Sequence, residues 1–196
     1  MNTKWIIATN NPGKVREFHK ILPPLGIDAV SLKEAGIRLE VEETGTTFEE
    51  NALLKARAAC ACSGMPAVAD DSGLVVDALD GRPGVYSARY AETEKACNLR
   101  LLAEMQDVPD EKRQAHYACA IACVLPDGRE FTVYGECHGV IAREETGENG
   151  FGYDPLFYLP QYGVTFGELA PEIKNEISHR AKALKAFAEK IKTMEL

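Results

Sequence analysis

Two adjacent carboxylates, Asp70 and Asp71, follow a short apolar run in the segment Pro66–Leu74, Pro-Ala-Val-Ala-Asp-Asp-Ser-Gly-Leu. This pattern predicts a strand over Met65–Ala69 that the chain leaves at Ser72-Gly73, which places both carboxylates at the strand's carboxyl end. Open α/β sheets bind their ligands at that end. Successive strand residues face opposite sides, so one carboxylate can face a ligand while the other faces the scaffold. Because Mg²⁺ takes one or two carboxylates plus water and phosphate oxygens, the segment suits a magnesium site, and a polar turn is the alternative interpretation.

A second segment with suitable chemistry follows the first apolar run of the chain. Its residues are Thr9, Asn10, Asn11, Pro12, Gly13 and Lys14. Asn11 as N-cap and Pro12 at the first helical position predict a strand, a tight turn and a helix N-terminus, whose free N–H groups and dipole attract phosphate. The dipole disfavours a lysine in the first turn, so Lys14 indicates an anion nearby. The segment lacks the Walker pattern, and an ordinary strand-to-helix turn is the alternative.

An acidic segment and a capped helix lie between these two stretches. Thr47 and Glu50 have the spacing of a capping box, which predicts a helix over Phe48–Ser63. Glu42 precedes this helix and is a candidate to share a metal ion with the second aspartate of the pair, although a solvated acidic loop gives the same pattern. Lys55 lies two turns into the helix, where its ammonium can reach a phosphate or can simply face solvent.

Two later segments carry groups suited to a base and to an anion. The residues Phe151, Gly152, Tyr153 and Asp154 place aromatic rings around a glycine, which suits stacking on a base or core packing at a bend. Asp154 precedes a proline and is expected to be extended. Near the end of the chain Lys174 precedes Ser178, which is predicted to cap a last helix. His179 and Arg180 then lie at that helix N-terminus, a position that favours anions.

Composition limits the class of protein. With 196 residues, 45% of them hydrophobic, the chain is long enough for one domain or two closely packed lobes. The net charge of −8 argues against broad contact with nucleic acid, and the lack of a long apolar run predicts a soluble, cytoplasmic protein. Six cysteines in a chain of this length do not indicate a disulfide framework. A zinc site is an alternative use of some of them, but no Cys-x-x-Cys pair supports it.

The remaining segments predict a mixed sheet. Ala115–Leu125, a Pro-Asp-Gly turn and Glu130–Glu136 form an expected hairpin. The hairpin adds antiparallel strands to the parallel strands expected earlier in the chain, so the fold class is α/β with a twisted mixed sheet and flanking helices.

Taken together, these segments resemble the inosine triphosphate pyrophosphatases, the Ham1-like family that acts on non-canonical purine nucleoside triphosphates. The resemblance covers nearly the whole chain, and its motifs occur in the family's order. They are Thr9–Lys14, Glu42–Gly45 with Phe48–Ala52, Ala69–Leu74, Pro83–Arg89, Gly150–Pro155 and Ser178–Arg180. At Asn10 this chain departs from the glycine that many relatives carry.

The resemblance implies a single domain over residues 1–196, with two lobes around a long central cleft, a homodimer, and Mg²⁺-dependent cleavage of a nucleoside triphosphate to monophosphate and pyrophosphate. Asp71 corresponds to the metal ligand and proton acceptor, and Glu42 to the second acidic metal contact. The phosphate-binding positions correspond to Thr9–Lys14, Ser72 and Lys174. The base-binding positions correspond to Phe151–Asp154, His179 and Arg180.

The chemistry of these side chains suggests a mechanism for this reaction. Asp71 is expected to accept a proton from the water that attacks the α-phosphorus, while Lys14, Lys55 and Lys174 offset charge on the departing pyrophosphate. His179 and Arg180 are candidates to donate to a 6-oxo group, which adenine lacks. Two other hypotheses remain. The protein could be a Maf-type pyrophosphatase for modified pyrimidine nucleotides, or a nucleotide-binding regulatory protein without hydrolysis.

Overall fold

Seven strands form one mixed sheet in the structure, a computed structural model that describes residues 4–194. The strand order is β2-β1-β3-β4-β5-β6-β7. The strands are β1 Lys4–Ile7, β2 Asp28–Ser31, β3 Ala67–Val76, β4 Gln114–Val124, β5 Glu130–Ile141, β6 Phe157–Leu159 and β7 Val164–Thr165. β1 pairs in parallel with β2 and β3, whereas β6 pairs antiparallel with β5 and β7. The predicted mixed α/β class is confirmed.

Five α-helices occur within residues 4–194. They are α1 Pro12–Ile21, α2 Phe48–Ser63, α3 Glu94–Glu104, α4 Pro171–Ile177 and α5 His179–Lys192. Every helix in this range is too short or too polar to span a lipid bilayer.

Local capping signals set the ends of the helices that matter for the site. The Asn11 side chain accepts from the N–H groups of Gly13 and Lys14 and begins α1, as predicted. Thr47 and Glu50 form a complete capping box at the start of α2, and the helix ends at Gly64 in the left-handed conformation. The predicted bounds of α2 are confirmed.

The predicted end of the strand at Ser72-Gly73 is wrong, because β3 continues without interruption to Val76. The two aspartates therefore lie in the middle of a ten-residue strand. Turn-forming residue types do not end the strand here because Asp70 and Asp71 are both buried and make side-chain ion pairs. β1 ends at Ile7 opposite Val68, so the aspartates lie just past the paired end of β1.

The chain divides into two compact units that interleave along the sequence. The first unit contains the chain up to Asp71, Cys119–Gly135 and the chain from Ala183 onward, and the second contains Ser72–Ala118 and Glu136–Lys182. Each unit has its own apolar core. The first core includes Trp5, Phe18, Ile121 and Phe187, and the second includes Leu101, Tyr117, Phe157 and Phe166.

Candidate active site

In the first unit, Asp71 lies between a lysine and an asparagine, both from α2. Lys55 Nζ is 3.0 Å from Asp71 Oδ1, and Asn51 Nδ2 donates to Asp71 Oδ2 over 3.3 Å. The same Lys55 ammonium donates to Glu43 Oε1 over 2.8 Å. One cation thus joins two carboxylates at a site that is largely shielded from water, where charge interactions are stronger than at the surface.

Burial and charge act in opposite directions on this group. Burial raises the pKa of Asp71, and the neighbouring Lys55 reverses only part of that increase. For Lys55, burial alone lowers the pKa, but the carboxylates of Asp71, Glu43 and Asp70 together outweigh burial and raise it. Asp71 is therefore a better proton acceptor than an exposed aspartate, while Lys55 stays charged.

Asn51 helps to order the acidic segment as well as Asp71. Its side chain is fully buried, and its Oδ1 accepts from the backbone N–H of Gly45 over 2.9 Å. A Cβ at Gly45 would lie 2.7 Å from Asn51 Oδ1 and 2.7 Å from Glu50 Cβ. Only glycine fits this close approach of the segment to α2, which explains the Thr-Gly pair before the helix.

Asp70, which precedes Asp71 in β3, pairs with a different lysine. Its Oδ2 is 2.9 Å from Lys14 Nζ, and its side chain is 1% exposed. The anion that the sequence predicts beside Lys14 is thus a carboxylate of the protein itself. The Thr9–Lys14 turn has the expected helix N-terminus, and Thr9 Oγ1 accepts from Asn11 N over 3.2 Å.

Glu42 is exposed, and it is its neighbour Glu43 that contacts Lys55. Among residues 4–194, no three His, Cys, Asp or Glu side chains are placed together as a set of metal ligands. Mg²⁺ needs only one or two carboxylates, because water and phosphate fill its other positions. Asp71 and one glutamate of the acidic segment Glu42–Gly45 can meet that requirement, and Glu43 is the glutamate that shares the Lys55 cation with Asp71. We call Lys14, Glu43, Asn51, Lys55, Asp70 and Asp71 the two-aspartate cluster.

A different set of predicted residues comes together in the second unit, around Asp154. Lys174 Nζ forms an ion pair with Asp154 Oδ2, and the same oxygen accepts from Phe151 N over 2.8 Å. The Lys174 ammonium also lies 4.9 Å from the centroid of the Phe151 ring, which is 60% exposed. Asp154 begins a short 3₁₀ helix, Asp154–Leu156, so the expectation that it is extended is wrong. Its side chain accepts bonds from its own loop, which favours the tight bend.

His179 and Arg180 begin α5, and their partners belong to the same unit. The His179 ring stacks on Tyr117 with centroids 4.8 Å apart, and Tyr117 donates its hydroxyl to Asp154 Oδ1 over 3.4 Å. Arg180 donates to Ser72 Oγ over 3.0 Å. We call Tyr117, Phe151, Asp154, Lys174 and His179 the Asp154 cluster.

The structure separates the predicted aromatic residues by environment. The Tyr153 side chain lies in the core, where its hydroxyl donates to the Ser87 carbonyl over 2.8 Å, whereas the Phe151 ring is open to solvent. Of these two, only Phe151 offers a ring face for stacking.

Three contact residues were not predicted from the sequence as parts of a site: Glu43, Asn51 and Tyr117. The one available signal was the position of Asn51, three residues after Phe48 and next to Ala52 on the buried face of α2, because a buried amide needs partners.

The comparisons with known proteins agree with one another. The model of the Ham1 family matches residues 5–190. A dITP/XTP pyrophosphatase of Desulforamulus reducens is 53% identical over 189 residues, which cover 95% of this chain and 94% of the relative. The structure of the Staphylococcus aureus Ham1 protein superposes with a TM-score of 0.91 at 40% identity, covering 96% of this chain and 98% of that one. A Coxiella burnetii HAM1 protein gives a TM-score of 0.92 at 38% identity, covering 98% of this chain and 100% of that one.

Proposed function

Because this chain belongs to the Ham1 family, we propose that it hydrolyses non-canonical purine nucleoside triphosphates (dITP, ITP and XTP) to the monophosphate and pyrophosphate. The observation that supports this function best is the two-aspartate cluster, where Lys55 and Asn51 hold the buried Asp71 carboxylate. This arrangement provides a proton acceptor and fixed positive charge together, as hydrolysis of a phosphoanhydride requires.

Asp71 is proposed to bind the metal and to accept a proton from the water that attacks the α-phosphorus. Glu42 remains the proposed second metal contact, with Glu43 as the acidic neighbour that already contacts Lys55. Mg²⁺, when bound, supplies positive charge to the phosphate oxygens and lowers the pKa of bound water. Lys14 and Lys55 offset the charge that collects on the departing pyrophosphate, and the N–H groups at the start of α1 bind phosphate oxygens.

The residues of the second unit are proposed to read the base. Phe151 offers a ring face for stacking, and His179 and Arg180 are the proposed donors to the 6-oxo group of hypoxanthine or xanthine. Adenine presents an amino group at that position, so donor meets donor and binding is lost. Ser72, which accepts from Arg180, and Lys174 are proposed to lie beside the phosphates.

Several finer properties belong to the same proposal. We propose that the whole chain, residues 1–196, is one domain, that it forms a homodimer in the cytoplasm, and that it acts on free nucleotides rather than on nucleic acid. The net charge of −8 supports the last point, because duplex binding requires a basic face.

Pyrophosphate release from dITP, XTP, dATP, dGTP and a modified pyrimidine triphosphate, each with Mg²⁺ and with EDTA, tests the proposal. We expect Mg²⁺-dependent release from dITP and XTP and little from dATP and the pyrimidine triphosphate, whereas the 6-oxo contact alone does not exclude dGTP, and Asp71→Asn serves as the matched inactive control. Preference for the pyrimidine nucleotide would favour the Maf-type reading. Nucleotide binding without any release would make the protein a regulatory binder and contradict the proposal.

A further inference from the structure

Lys14 occupies a position that is electrostatically unfavourable for a cation. It lies in the first turn of α1, which contains no acidic residue, and the partial positive charge of the helix N-terminus is concentrated there. A lysine at this position therefore needs a nearby negative charge to hold its ammonium close to the first turn of the helix.

Asp70 supplies that counter-charge from the neighbouring strand. Its carboxylate is almost completely buried, and a buried carboxylate is costly without a cationic partner. Asp70 Oδ2 lies 2.9 Å from Lys14 Nζ, whereas Lys55 contacts both Asp71 and Glu43. An ammonium has three N–H donors, so the contact with Asp70 leaves donors of Lys14 for a second anion. The Lys14 side chain keeps 16% of its surface exposed, where such an anion can approach.

We propose that Asp70 is a positioning residue that acts through Lys14. Its carboxylate holds the ammonium over the first turn of α1, so that Lys14 and the N–H groups of that turn meet the same phosphate. Asp71 contacts Lys55 and Asn51 instead, so in this proposal the two adjacent aspartates have different contact partners: Asp71 accepts the proton, and Asp70 orients Lys14. This inference rests on the proposed function, because it takes phosphate as the ligand of Lys14.

A double-mutant cycle of Asp70→Asn and Lys14→Met, with steady-state kinetics on dITP, tests the proposal. Losing a charge-assisted contact that orients a binding group should raise KM about tenfold in Asp70→Asn and change kcat less. If Asp70 acts through Lys14, the double variant matches Lys14→Met within about twofold, because the two changes remove one interaction. Asp70→Glu should recover part of the loss, and Asp28→Asn, at an exposed position of β2, is the matched neutral control.

A second arm does not depend on turnover. The rate at which acetic anhydride modifies Lys14, followed by peptide mass spectrometry, should rise several-fold in Asp70→Asn relative to the exposed Lys33 in the same molecule. If the wild-type protein hydrolyses no nucleotide, the proposed function fails while this arm still tests the pairing. Should Asp70→Asn not fold, Asp70→Glu replaces it in both arms, with smaller changes in the same direction.

Three outcomes would overturn the inference. Multiplicative losses in the kinetic cycle would show that Asp70 acts independently of Lys14. A changed Mg²⁺ requirement in Asp70→Asn, relative to the wild type, would make Asp70 a metal ligand. Lower stability with unchanged KM and unchanged Lys14 acetylation would leave Asp70 a purely structural role.

Discussion

The two-aspartate cluster and the Asp154 cluster both contain a lysine paired with a buried carboxylate, but their surroundings differ. In the first, the lysines are covered by carboxylates and an amide, at distances of 2.8 to 3.0 Å for the ion pairs. In the second, the single Lys174–Asp154 pair is surrounded by rings, since Lys174 lies 4.9 Å from Phe151 and 5.2 Å from Phe166. Concentrated charge suits phosphate and metal, whereas flat apolar rings with a few polar groups suit a base. This difference supports the proposal that the first cluster carries out the chemistry and that the rings of the second read the base, with Lys174 beside the phosphates.

The largest effect is expected from Asp71→Asn in the two-aspartate cluster. An amide keeps the shape of the side chain but neither accepts the proton nor supplies a charged metal ligand, so kcat should fall by about 10³. Initial rates of pyrophosphate release measure this change, with Asp28→Asn as the control. A loss smaller than about tenfold would assign the proton acceptor to another residue.

Removing one lysine from each cluster compares the two regions directly. Lys55→Met leaves Asp71 and Glu43 side by side without their shared cation, so kcat/KM for dITP should fall by about 10². Lys174→Met keeps apolar contact with the rings and should cost about tenfold, mostly in KM. Steady-state kinetics of both variants separate the loss in kcat from the increase in KM. Equal losses in kcat would mean that the clusters are not specialised as described.

The pH dependence of stability should carry the signature of Asp71. Burial raises its pKa, so the folded chain holds this proton more tightly than the unfolded chain. The resulting stabilisation is fully present below the unfolded pKa of about 3.9 and is lost as the pH rises through the folded value. Urea unfolding from pH 4 to 7 measures this effect. The free energy of unfolding of Asp71→Asn should increase relative to that of the wild type as the pH rises.

Glu50 provides the control with the opposite sign. Hydrogen bonds from the Thr46 backbone N–H and side chain lower the pKa of Glu50, so its stabilisation is present above the usual glutamate value and is lost in acid. Glu50→Gln should thus approach the wild type in stability as the pH falls. A parallel pH dependence of the Asp71 and Glu50 variants would contradict the environment described for Asp71.

The smallest effects are expected from helix caps, one in each unit. Thr47 caps α2 and Thr93 caps α3, and replacing either by alanine should lower the free energy of unfolding by about 1 kcal/mol. Because α2 carries Lys55 and Asn51, Thr47→Ala should also reduce kcat/KM slightly, whereas Thr93→Ala should leave it unchanged. Urea unfolding and kinetics on the same samples test both statements. A larger kinetic loss in Thr93→Ala would contradict the placement of the chemistry on α2.

Much of the fold could be read from local signals. The bounds of α2 follow from Thr47, Glu50 and Gly64, because caps and left-handed termini depend on neighbouring residues only. The extent of β3 could not be predicted in this way. The turn-forming types at Asp71–Gly73 indicate an exit from the strand, but partners far along the chain keep both aspartates in the strand.

The same limit applies to the candidate site. The residue types and their order predict Asp71, Lys55 and Lys14 as site residues, yet the partner of each depends on tertiary packing. Nothing local distinguishes Glu43 from Glu42 as the contact of Lys55. The packing of Tyr117 on His179 joins a central strand to the last helix, and no sequence spacing encodes it.

The most direct test of the proposed division measures kcat/KM for dITP and dATP in the wild type, in Lys55→Met and in Arg180→Met. We expect Lys55→Met to lower both values by the same factor and to keep the preference for dITP, because it removes charge that serves every triphosphate. Arg180→Met should reduce the preference by at least about tenfold, since it removes a donor proposed for the 6-oxo group. An unchanged dITP-to-dATP ratio in Arg180→Met, with a changed ratio in Lys55→Met, would contradict the proposal that the two-aspartate cluster carries the chemistry and that residues at the start of α5 recognise the base.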